Sequence, residues 1–133
     1  MAFLTLVIHP CWVGVRRILL VADGEGVGGH VAGMVERAGY DVVAATDAED
    51  AFMIACSDER GFDLLLSDVT LTAGSGLELA WKLRASGLVG RVMFMSVARV
   101  EAQTWRDAPL IQKPFTADDL TEKVHEALTI PVP

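Results

Sequence analysis

The run Asp63-Leu64-Leu65-Leu66-Ser67-Asp68 constrains the fold more than any other part of the chain. Three consecutive leucines in so short a run predict a strand that is buried on both faces, as in a parallel sheet. A glycine-containing segment, residues 72–76, follows Asp68 and places its carboxylate at the mouth of the sheet. In open α/β folds this edge is where ligands bind. Because an isolated charge is costly to bury, Asp68 is expected to have a chemical role or a cationic partner.

The composition favours one globular domain and excludes several function classes. The chain has 133 residues, of which 52% are hydrophobic and 22% charged, and this suits a single domain with one core. A net charge of −7, with no basic cluster larger than Arg16-Arg17, argues against direct binding of nucleic acid. Cys11 and Cys56 lack metal-ligand spacing, and we expect reduced thiols in a cytoplasmic protein.

Residues 1–16 form an apolar extension before the domain, which is expected to cover residues 17–129 with a tail at 130–133. The apolar run Met1–Ile8 is shorter than the roughly 20 residues that span a bilayer, and it lacks a basic region before it. No membrane association is therefore expected. The extension is interpreted as an extra strand or a loose leader, with a contact in a homodimer as the alternative.

From Arg17 onward, strand patterns alternate with helix patterns. Pairs of capping residues predict the starts of three helices, and Gly39 predicts the end of the first helix. The alternation implies a parallel sheet covered on both faces by helices. Trp81, on the predicted third helix, and Trp105 are expected to be partly buried, with a place on a partner surface as the alternative. The predicted strands are Ile18–Val21, Tyr40–Ala45, 64–67, Arg91–Ser96 and Leu110–Gln112, and the capping pairs are Thr46/Glu49, Ser75/Glu78 and Thr116/Asp119.

Four polar residues follow or end these strands and should meet at one edge of the sheet. Asp23 follows the first strand, Asp68 the third and Lys113 the fifth, while Ser96 ends the fourth. Two carboxylates at one edge repel each other unless a cation intervenes, and with a main-chain carbonyl and waters they suit Mg²⁺. Lysine supplies a point charge for a phosphoryl oxygen. The set predicts a phosphoryl-transfer site with an aspartate nucleophile.

Four motifs together resemble the receiver (phosphoacceptor) domain of two-component response regulators, over about residues 17–128. The resemblance implies a flavodoxin-like (CheY-like) three-layer α/β sandwich with a five-stranded parallel sheet in the order 2-1-3-4-5. The short segment between Ser96 and Lys113 implies a shortened fourth helix and is most similar to receivers of hybrid sensor histidine kinases. The motifs are Ile18–Asp23, Asp63–Asp68 with Gly76 beyond it, Met95-Ser96, and Gln112–Phe115.

The resemblance also implies a role for each site residue. Asp68 would accept a phosphoryl group from a histidine kinase or a phosphotransfer protein, in a signalling domain rather than an enzyme. Asp23, Asp68 and the main-chain carbonyl of Thr70 would bind Mg²⁺. Ser96 and Lys113 would contact the phosphoryl group. The peptide bond between Lys113 and Pro114 is a candidate for the cis form, which is accessible mainly before proline.

The sequence departs from the family pattern at several positions. Ala22 replaces one of two acids that usually follow the first strand, and Thr72 replaces a proline beyond the phosphoacceptor. Val97 replaces a small residue, and Leu110 replaces the family's switch aromatic. These departures leave open a degenerate receiver that binds a protein partner without phosphorylation.

Two other readings compete. Gly24-Glu25-Gly26-Val27-Gly28-Gly29 matches the dinucleotide-binding pattern G-x-G-x-x-G, with Asp47 near the position of its ribose-binding acid. The glycines begin two residues late, however, and a role at a helix start already explains Asp47. A dehalogenase-type phosphatase is the other reading, but Thr70 stands where its general acid would be.

Overall fold

The computed structural model describes residues 15–22, 27–71, 74–96 and 108–129. Helices follow the strands of the main sheet as the sequence pattern predicts, and two short additional strands precede the third helix. Their bounds are β1 (Arg17–Val21), α1 (Val27–Arg37), β2 (Asp41–Ala45), α2 (Ala48–Ser57), β3 (Phe62–Asp68), β4 (Thr70–Leu71), β5 (Gly74–Ser75), α3 (Gly76–Ala85), β6 (Val89–Ser96), β7 (Leu110–Gln112) and α4 (Ala117–Thr129).

Five strands form one parallel sheet in the order β2-β1-β3-β6-β7. The predicted order 2-1-3-4-5 is confirmed, because β4 and β5 pair with each other in a separate two-stranded antiparallel sheet that periodicity does not reveal. β3 lies at the centre, where Leu64 pairs in register with Ile18 on one side and Arg91 on the other. The architecture is the flavodoxin-like sandwich that the resemblance implies.

The three leucines of β3 are fully buried and divide between the two faces of the sheet. Leu64 and Leu66 belong to the core beneath α1 and α4, whereas Leu65 belongs to the core beneath α2 and α3. The division follows from the two-residue period of a strand. Burial of each leucine contributes about 1.5–3 kcal/mol, so β3 anchors both helical layers and fixes the position of Asp68 at its end.

Helix caps agree with the sequence at two of three starts. The Ser75 hydroxyl accepts hydrogen bonds from the main-chain N–H groups of Leu77 and Glu78 at the start of α3. Thr116 and Asp119 cap α4 reciprocally, and Gly39 ends α1 with a φ of 102°.

The predicted cap of α2 at Thr46 is wrong by one residue. Asp47 is extended, and its Oδ1 accepts a hydrogen bond from the N–H of Asp50 at 2.7 Å. A carboxylate at this position also interacts favourably with the helix dipole.

A cluster of hydrogen-bonded charged residues lies at the amino edge of the sheet, where the parallel strands begin. The Arg17 guanidinium forms two parallel bonds to the carboxylate of Asp58, at 2.8 and 2.9 Å. It also donates to Asp41 at 3.3 Å and to the carbonyl of Gly61 at 2.7 Å. The main-chain N–H of Arg17 donates to Asp63 at 2.7 Å. This cluster joins β1, β2 and the loop between α2 and β3.

The Arg17 side chain has further consequences in this cluster. Its guanidinium lies 4.5 Å from the centroid of the Phe62 ring, within cation–π range. Hydrogen bonding from Arg17 lowers the pKa of Asp58 to about 2, from an ordinary 3.8, with further help from the N–H groups of Arg60 and Gly61. A carboxylate that is this easily ionised holds the cluster together at neutral pH.

Several predictions concern residues outside the described ranges. Most of the predicted extension, residues 1–14, the tail 130–133 and the expected short helix within 97–107 lie there. The domain limits therefore stay predictions. None of the helices in the described ranges combines the length and apolar character needed to cross a membrane.

Candidate functional site

Three of the four predicted strand-end residues are described, and neighbouring strands carry them. Asp68 is the last residue of β3, Ser96 the last residue of β6, and Lys113 the first residue after β7. In register, Asp68 pairs with Met95, and Ser96 pairs with Gln112. Ser96 therefore lies one residue beyond the partner of Asp68, and Lys113 lies one residue beyond the partner of Ser96. The strand-end argument from sequence correctly places them at one edge.

The side chains of Asp68 and Lys113 are in direct contact. Lys113 Nζ donates to Asp68 Oδ1 at 2.7 Å, a short distance typical of a charge-assisted hydrogen bond. The Asp68 side chain is only 11% exposed and the Lys113 side chain 19%, so water screens the pair less than it would at the surface. The carboxyl edge of the sheet thus holds a buried carboxylate, and the lysine ammonium is hydrogen-bonded to one of its two oxygens.

Lys113 is held by its main chain as well as by its side chain. Its N–H donates to the carbonyl of Ser96 at 2.7 Å. The Lys113–Pro114 peptide bond is cis, as the resemblance implies, and Phe115 packs against the core beneath α1 and α4. These contacts hold the main chain at Lys113 in place, just after β7, and from there the side chain reaches Asp68.

The main chain around Asp68 is packed tightly against the start of α3. A β-carbon added to Gly76 would lie 1.9 Å from the carbonyl oxygen of Asp68, which only glycine avoids. The N–H of Gly76 donates to the carbonyl of Val69 at 2.9 Å, and the N–H of Val69 donates to Met95 at 2.9 Å. The glycine of the motif therefore allows α3 to begin directly against the end of β3.

Ser67 is a site neighbour that the sequence argument did not single out. Its side chain is fully buried, and its hydroxyl donates to the carbonyl of Asp68 at 2.9 Å. The signal was present, because a serine interrupts an otherwise apolar buried strand and such a hydroxyl needs a partner. Ser67 thus supports the main chain of Asp68 through this hydrogen bond.

The described donors match Mg²⁺ in kind. The Asp68 carboxylate and the carbonyl of Thr70, two residues further on, offer the oxygen atoms that Mg²⁺ prefers, and Mg²⁺ needs few protein oxygens because it keeps several waters. Asp23, the other predicted ligand, lies outside the described residues. Ala22 is buried in the apolar core and supplies no ligand. Within the described ranges, no three His, Cys, Asp or Glu side chains group to hold a metal.

The acid that suggested a dinucleotide site has a structural role instead. Asp47, the candidate ribose-binding acid, has its carboxylate engaged as the N-cap of α2. Residues 23–26, which include the first two glycines of the pattern, lie outside the described residues.

Comparisons with known proteins agree with this geometry. The family model described as "Response regulator receiver domain" matches residues 18–125. The response regulator receiver protein CpdR of Brucella abortus is 27% identical over 118 residues, which cover 85% of this chain and 97% of that protein. The receiver domain of the hybrid histidine kinase CckA superposes with a TM-score of 0.72 at 32% identity, covering 85% of this chain and 99% of that one.

The chain also matches part of a longer regulator. The transcriptional regulatory protein PhoP of Bacillus subtilis is 28% identical over 118 residues, 85% of this chain but 48% of that protein. The chain thus spans about half the length of this relative.

The strand order, the lysine-paired aspartate at the carboxyl edge and the family match together identify a receiver-type α/β domain. The chain belongs to the response regulator receiver domain family and is a receiver domain of two-component signalling. The resemblance drawn from four sequence motifs is confirmed, including its likeness to a hybrid-kinase receiver. The roles of Asp23, Asp68, Thr70, Ser96 and Lys113 stay predictions.

Proposed function

We propose that Asp68 is a phosphoacceptor that takes a phosphoryl group from a phosphohistidine donor. The observation that carries the proposal is the 2.7 Å contact between Lys113 Nζ and Asp68 Oδ1 at the carboxyl edge of the sheet. A buried carboxylate with a positioned cation can attack phosphorus while the cation offsets the charge that develops on the transferred oxygens.

The transfer forms one bond and breaks one. An oxygen of the Asp68 carboxylate attacks the phosphorus atom, and the bond from phosphorus to the donor's imidazole nitrogen breaks. The electron pair of that bond leaves with the imidazole, which then takes up a proton. The product is an acyl phosphate on Asp68, and we expect Lys113 and the Ser96 hydroxyl to interact with its oxygens.

We propose that Mg²⁺ is required, held by Asp68, the carbonyl of Thr70 and Asp23. Bound there, the ion would neutralise charge on the phosphoryl oxygens. Ala22 leaves the site with one acid fewer than the family's usual pair, so weaker retention of Mg²⁺ is expected than in receivers that carry both acids.

The proposed partners are a histidine kinase or a phosphotransfer protein in the cytoplasm. The hybrid-kinase receiver among the similar structures supports a place in a phosphorelay. With a net charge of −7, the chain is not expected to bind nucleic acid itself. The whole protein's output is a separate question, because this chain spans only about half of the regulator PhoP.

The test is incorporation of phosphate from acetyl phosphate, with and without Mg²⁺, followed by intact-protein mass spectrometry. We expect one phosphoryl group on the wild type with Mg²⁺ and none on Asp68→Asn. Asp118→Asn is a matched control, because it changes an exposed aspartate of α4 that lies on a different element. Modification of Asp68→Asn to the wild-type extent would overturn the assignment of Asp68.

One observation favours the second candidate, a binding module that is never phosphorylated. Ala22 is buried among apolar side chains at the position where the family usually supplies an acid. If the wild type gains no mass with acetyl phosphate or a phosphorylated donor, while it remains folded, the binding-module function replaces the phosphoacceptor function.

A further inference from the structure

Two polar side chains are buried within the described ranges, and they belong to neighbouring residues, Ser67 and Asp68. The proposed chemistry uses the carboxylate of Asp68 but not the hydroxyl of Ser67, which is 0% exposed. A buried hydroxyl costs free energy unless it forms a hydrogen bond, and an alanine at this position would avoid that cost. The bond that the Ser67 hydroxyl forms therefore indicates what the residue does.

The Ser67 hydroxyl acts on the peptide unit that joins Asp68 to Val69. It donates to the carbonyl oxygen of Asp68 at 2.9 Å, and at the other end of the same unit the N–H of Val69 donates to the carbonyl of Met95 at 2.9 Å. Because a peptide unit is planar, hydrogen bonds to both of its polar groups restrict its rotation. The direction in which the main chain leaves Asp68 is thus held on two sides.

The next peptide unit, from Val69 to Thr70, is held as well. The carbonyl of Val69 accepts a hydrogen bond from the N–H of Gly76 at 2.9 Å, and Thr70 pairs with Ser75 in the short antiparallel sheet. The bonds of Val69 to Met95 and to Gly76 join main chain to main chain, so a change of side chain leaves their donors and acceptors in place. The bond from Ser67 comes from a side chain, and a substitution can remove it.

Gly76 lies against the same two atoms that the Ser67 bond joins. A β-carbon added to Gly76 would lie 1.9 Å from the carbonyl oxygen of Asp68 and 2.9 Å from Oγ of Ser67. The hydroxyl, the carbonyl and the first residue of α3 are therefore packed together. This packing leaves the carbonyl of Asp68 little room to move once the hydroxyl holds it.

We propose that Ser67 is a positioning residue, which holds the carbonyl of Thr70 in its place relative to the Asp68 carboxylate and thereby raises the affinity of the site for Mg²⁺. The inference rests on the proposed function, in which both of these oxygens bind the ion. Mg²⁺ demands nearly ideal octahedral geometry, so the relative placement of its protein oxygens affects how tightly it is held. Ser67 acts through the main chain and does not itself contact the ion.

The first test is the dissociation constant for Mg²⁺, measured by isothermal titration calorimetry with magnesium chloride and no phosphoryl donor. We expect Ser67→Ala to raise this constant by about tenfold, as is typical when a partner that orients a metal ligand is lost. Equal constants for the wild type and the variant would overturn the proposal. A wild type that binds no Mg²⁺ would overturn it too.

The second test is the Mg²⁺ dependence of phosphorylation by acetyl phosphate. For Ser67→Ala we expect the half-saturating Mg²⁺ concentration to rise by about tenfold, with a rate at saturating Mg²⁺ within about twofold of the wild type. A lower saturating rate with an unchanged half-saturating concentration would contradict a role in Mg²⁺ affinity. If the wild type is never phosphorylated but Ser67→Ala still weakens Mg²⁺ binding, the phosphoacceptor function fails and the positioning role stands.

Ser57→Ala is the matched control, because it removes a hydroxyl that also donates to a main-chain carbonyl at 2.9 Å, that of Met53 in α2. Its Mg²⁺ dissociation constant should equal that of the wild type. Val92→Ala controls for a general loss of stability, since Val92 is buried in the core beneath α2 and α3. If Val92→Ala weakens Mg²⁺ binding as much as Ser67→Ala does, the effect comes from lower stability and the proposal is wrong.

A third variant grades the hydrogen bond itself. Ser67→Cys nearly keeps the volume of the side chain but offers only a weak S–H donor. Its Mg²⁺ dissociation constant should fall between those of the wild type and Ser67→Ala, with circular dichroism confirming that all three proteins are folded. A cysteine variant that binds Mg²⁺ more weakly than the alanine variant would show that side-chain volume, and not the hydrogen bond, sets the affinity.

Discussion

The two edges of the sheet use a cation and aspartates in different ways. At the amino edge, Arg17 binds Asp58 through two parallel hydrogen bonds and also contacts Asp41 and a main-chain carbonyl. At the carboxyl edge, Lys113 places one point charge on Asp68. Arginine has a planar fork of donors that suits a permanent structural connection, whereas lysine has a compact charge on a flexible stem. The first edge suits a structural role, and under the proposed function the lysine of the second edge exchanges partners during phosphoryl transfer.

If the proposed function holds, we expect the amino edge to govern stability and the carboxyl edge to govern phosphoryl transfer. Removal of the cation at the amino edge should mainly change the free energy of unfolding. Removal of the cation at the carboxyl edge should mainly change phosphorylation. Four measurements test this separation, and they follow in order of decreasing expected effect.

Gly76→Ala should have the largest effect, because it acts on both properties at once. Its new β-carbon would fall 1.9 Å from the Asp68 carbonyl oxygen, so the start of α3 or the end of β3 must move. We expect a loss of about 4 kcal/mol in the free energy of unfolding, measured by urea denaturation, with loss of phosphorylation. Gly29→Ala in α1 is the control, since a β-carbon there meets nothing within 4 Å. Equal stability of the two variants would show that the close approach at Gly76 has no cost.

Arg17→Ala should destabilise the domain by about 3 kcal/mol, because it leaves Asp58 without its charged partner and removes several hydrogen bonds to charged groups. The measurement is again urea denaturation. Acetyl phosphate should still modify the folded fraction of the variant. Arg16→Ala, next to it in sequence but exposed, is the control and should change stability by less than about 0.5 kcal/mol.

Lys113→Met should reduce the rate of phosphorylation by about a hundredfold, because it removes a positioned positive charge from the reacting oxygens. Its loss of stability should be smaller than that of Arg17→Ala, since the Lys113 ammonium donates one hydrogen bond, to Asp68, whereas the Arg17 guanidinium donates four. Time courses of phosphate incorporation measure the first effect, and denaturation measures the second. A variant as unstable as Arg17→Ala, yet phosphorylated at the normal rate, would contradict the separation of the two edges.

Lowering the pH should have the smallest effect of the four, a loss of the stability that the pairing of Arg17 with Asp58 contributes at the amino edge. The pKa of Asp58 is about 2 in the folded chain and 3.8 ordinarily, so the pairing with Arg17 stabilises the fold fully above the ordinary value. As the pH falls through 3.8 toward 2, this contribution is lost, and we expect it to be about 1 kcal/mol because the carboxylate is partly exposed to solvent. Denaturation of the wild type and of Asp58→Asn at several pH values should isolate it. A wild type that loses no more stability than the variant over this range would contradict the assignment.

The sequence was sufficient to predict most of the fold. Leu64, Leu65 and Leu66 predicted a strand buried on both faces, because burial on two sides removes the need for polar residues. Local motifs also predicted the caps at Ser75 and Thr116. At α2, Thr46 and Asp47 are both good capping residues, and only the backbone geometry decides between them.

Long-range side-chain contacts were harder to predict than strands. The placement of Asp68 and Lys113 at one edge followed from strand ends, since parallel strands bring their carboxyl ends together, but their direct contact was not predicted. The cluster around Arg17 was missed, because its partners Asp58 and Asp63 lie more than forty positions away and no periodic pattern joins them. The exposure of Trp81, at 67%, was not predicted, because the sequence of a helix does not show whether another part of the protein covers its outer face.

Lys113 gives the domain a built-in spectroscopic reporter. Its side chain contacts Asp68, and its own amide hydrogen is bonded to the carbonyl of Ser96 at 2.7 Å. A change in the chemical state of the aspartate therefore acts on a residue whose amide resonance is sensitive to hydrogen-bond length. Following that one peak in a nitrogen–proton correlation spectrum should read the occupancy of the site in real time, without a label on the phosphoryl donor.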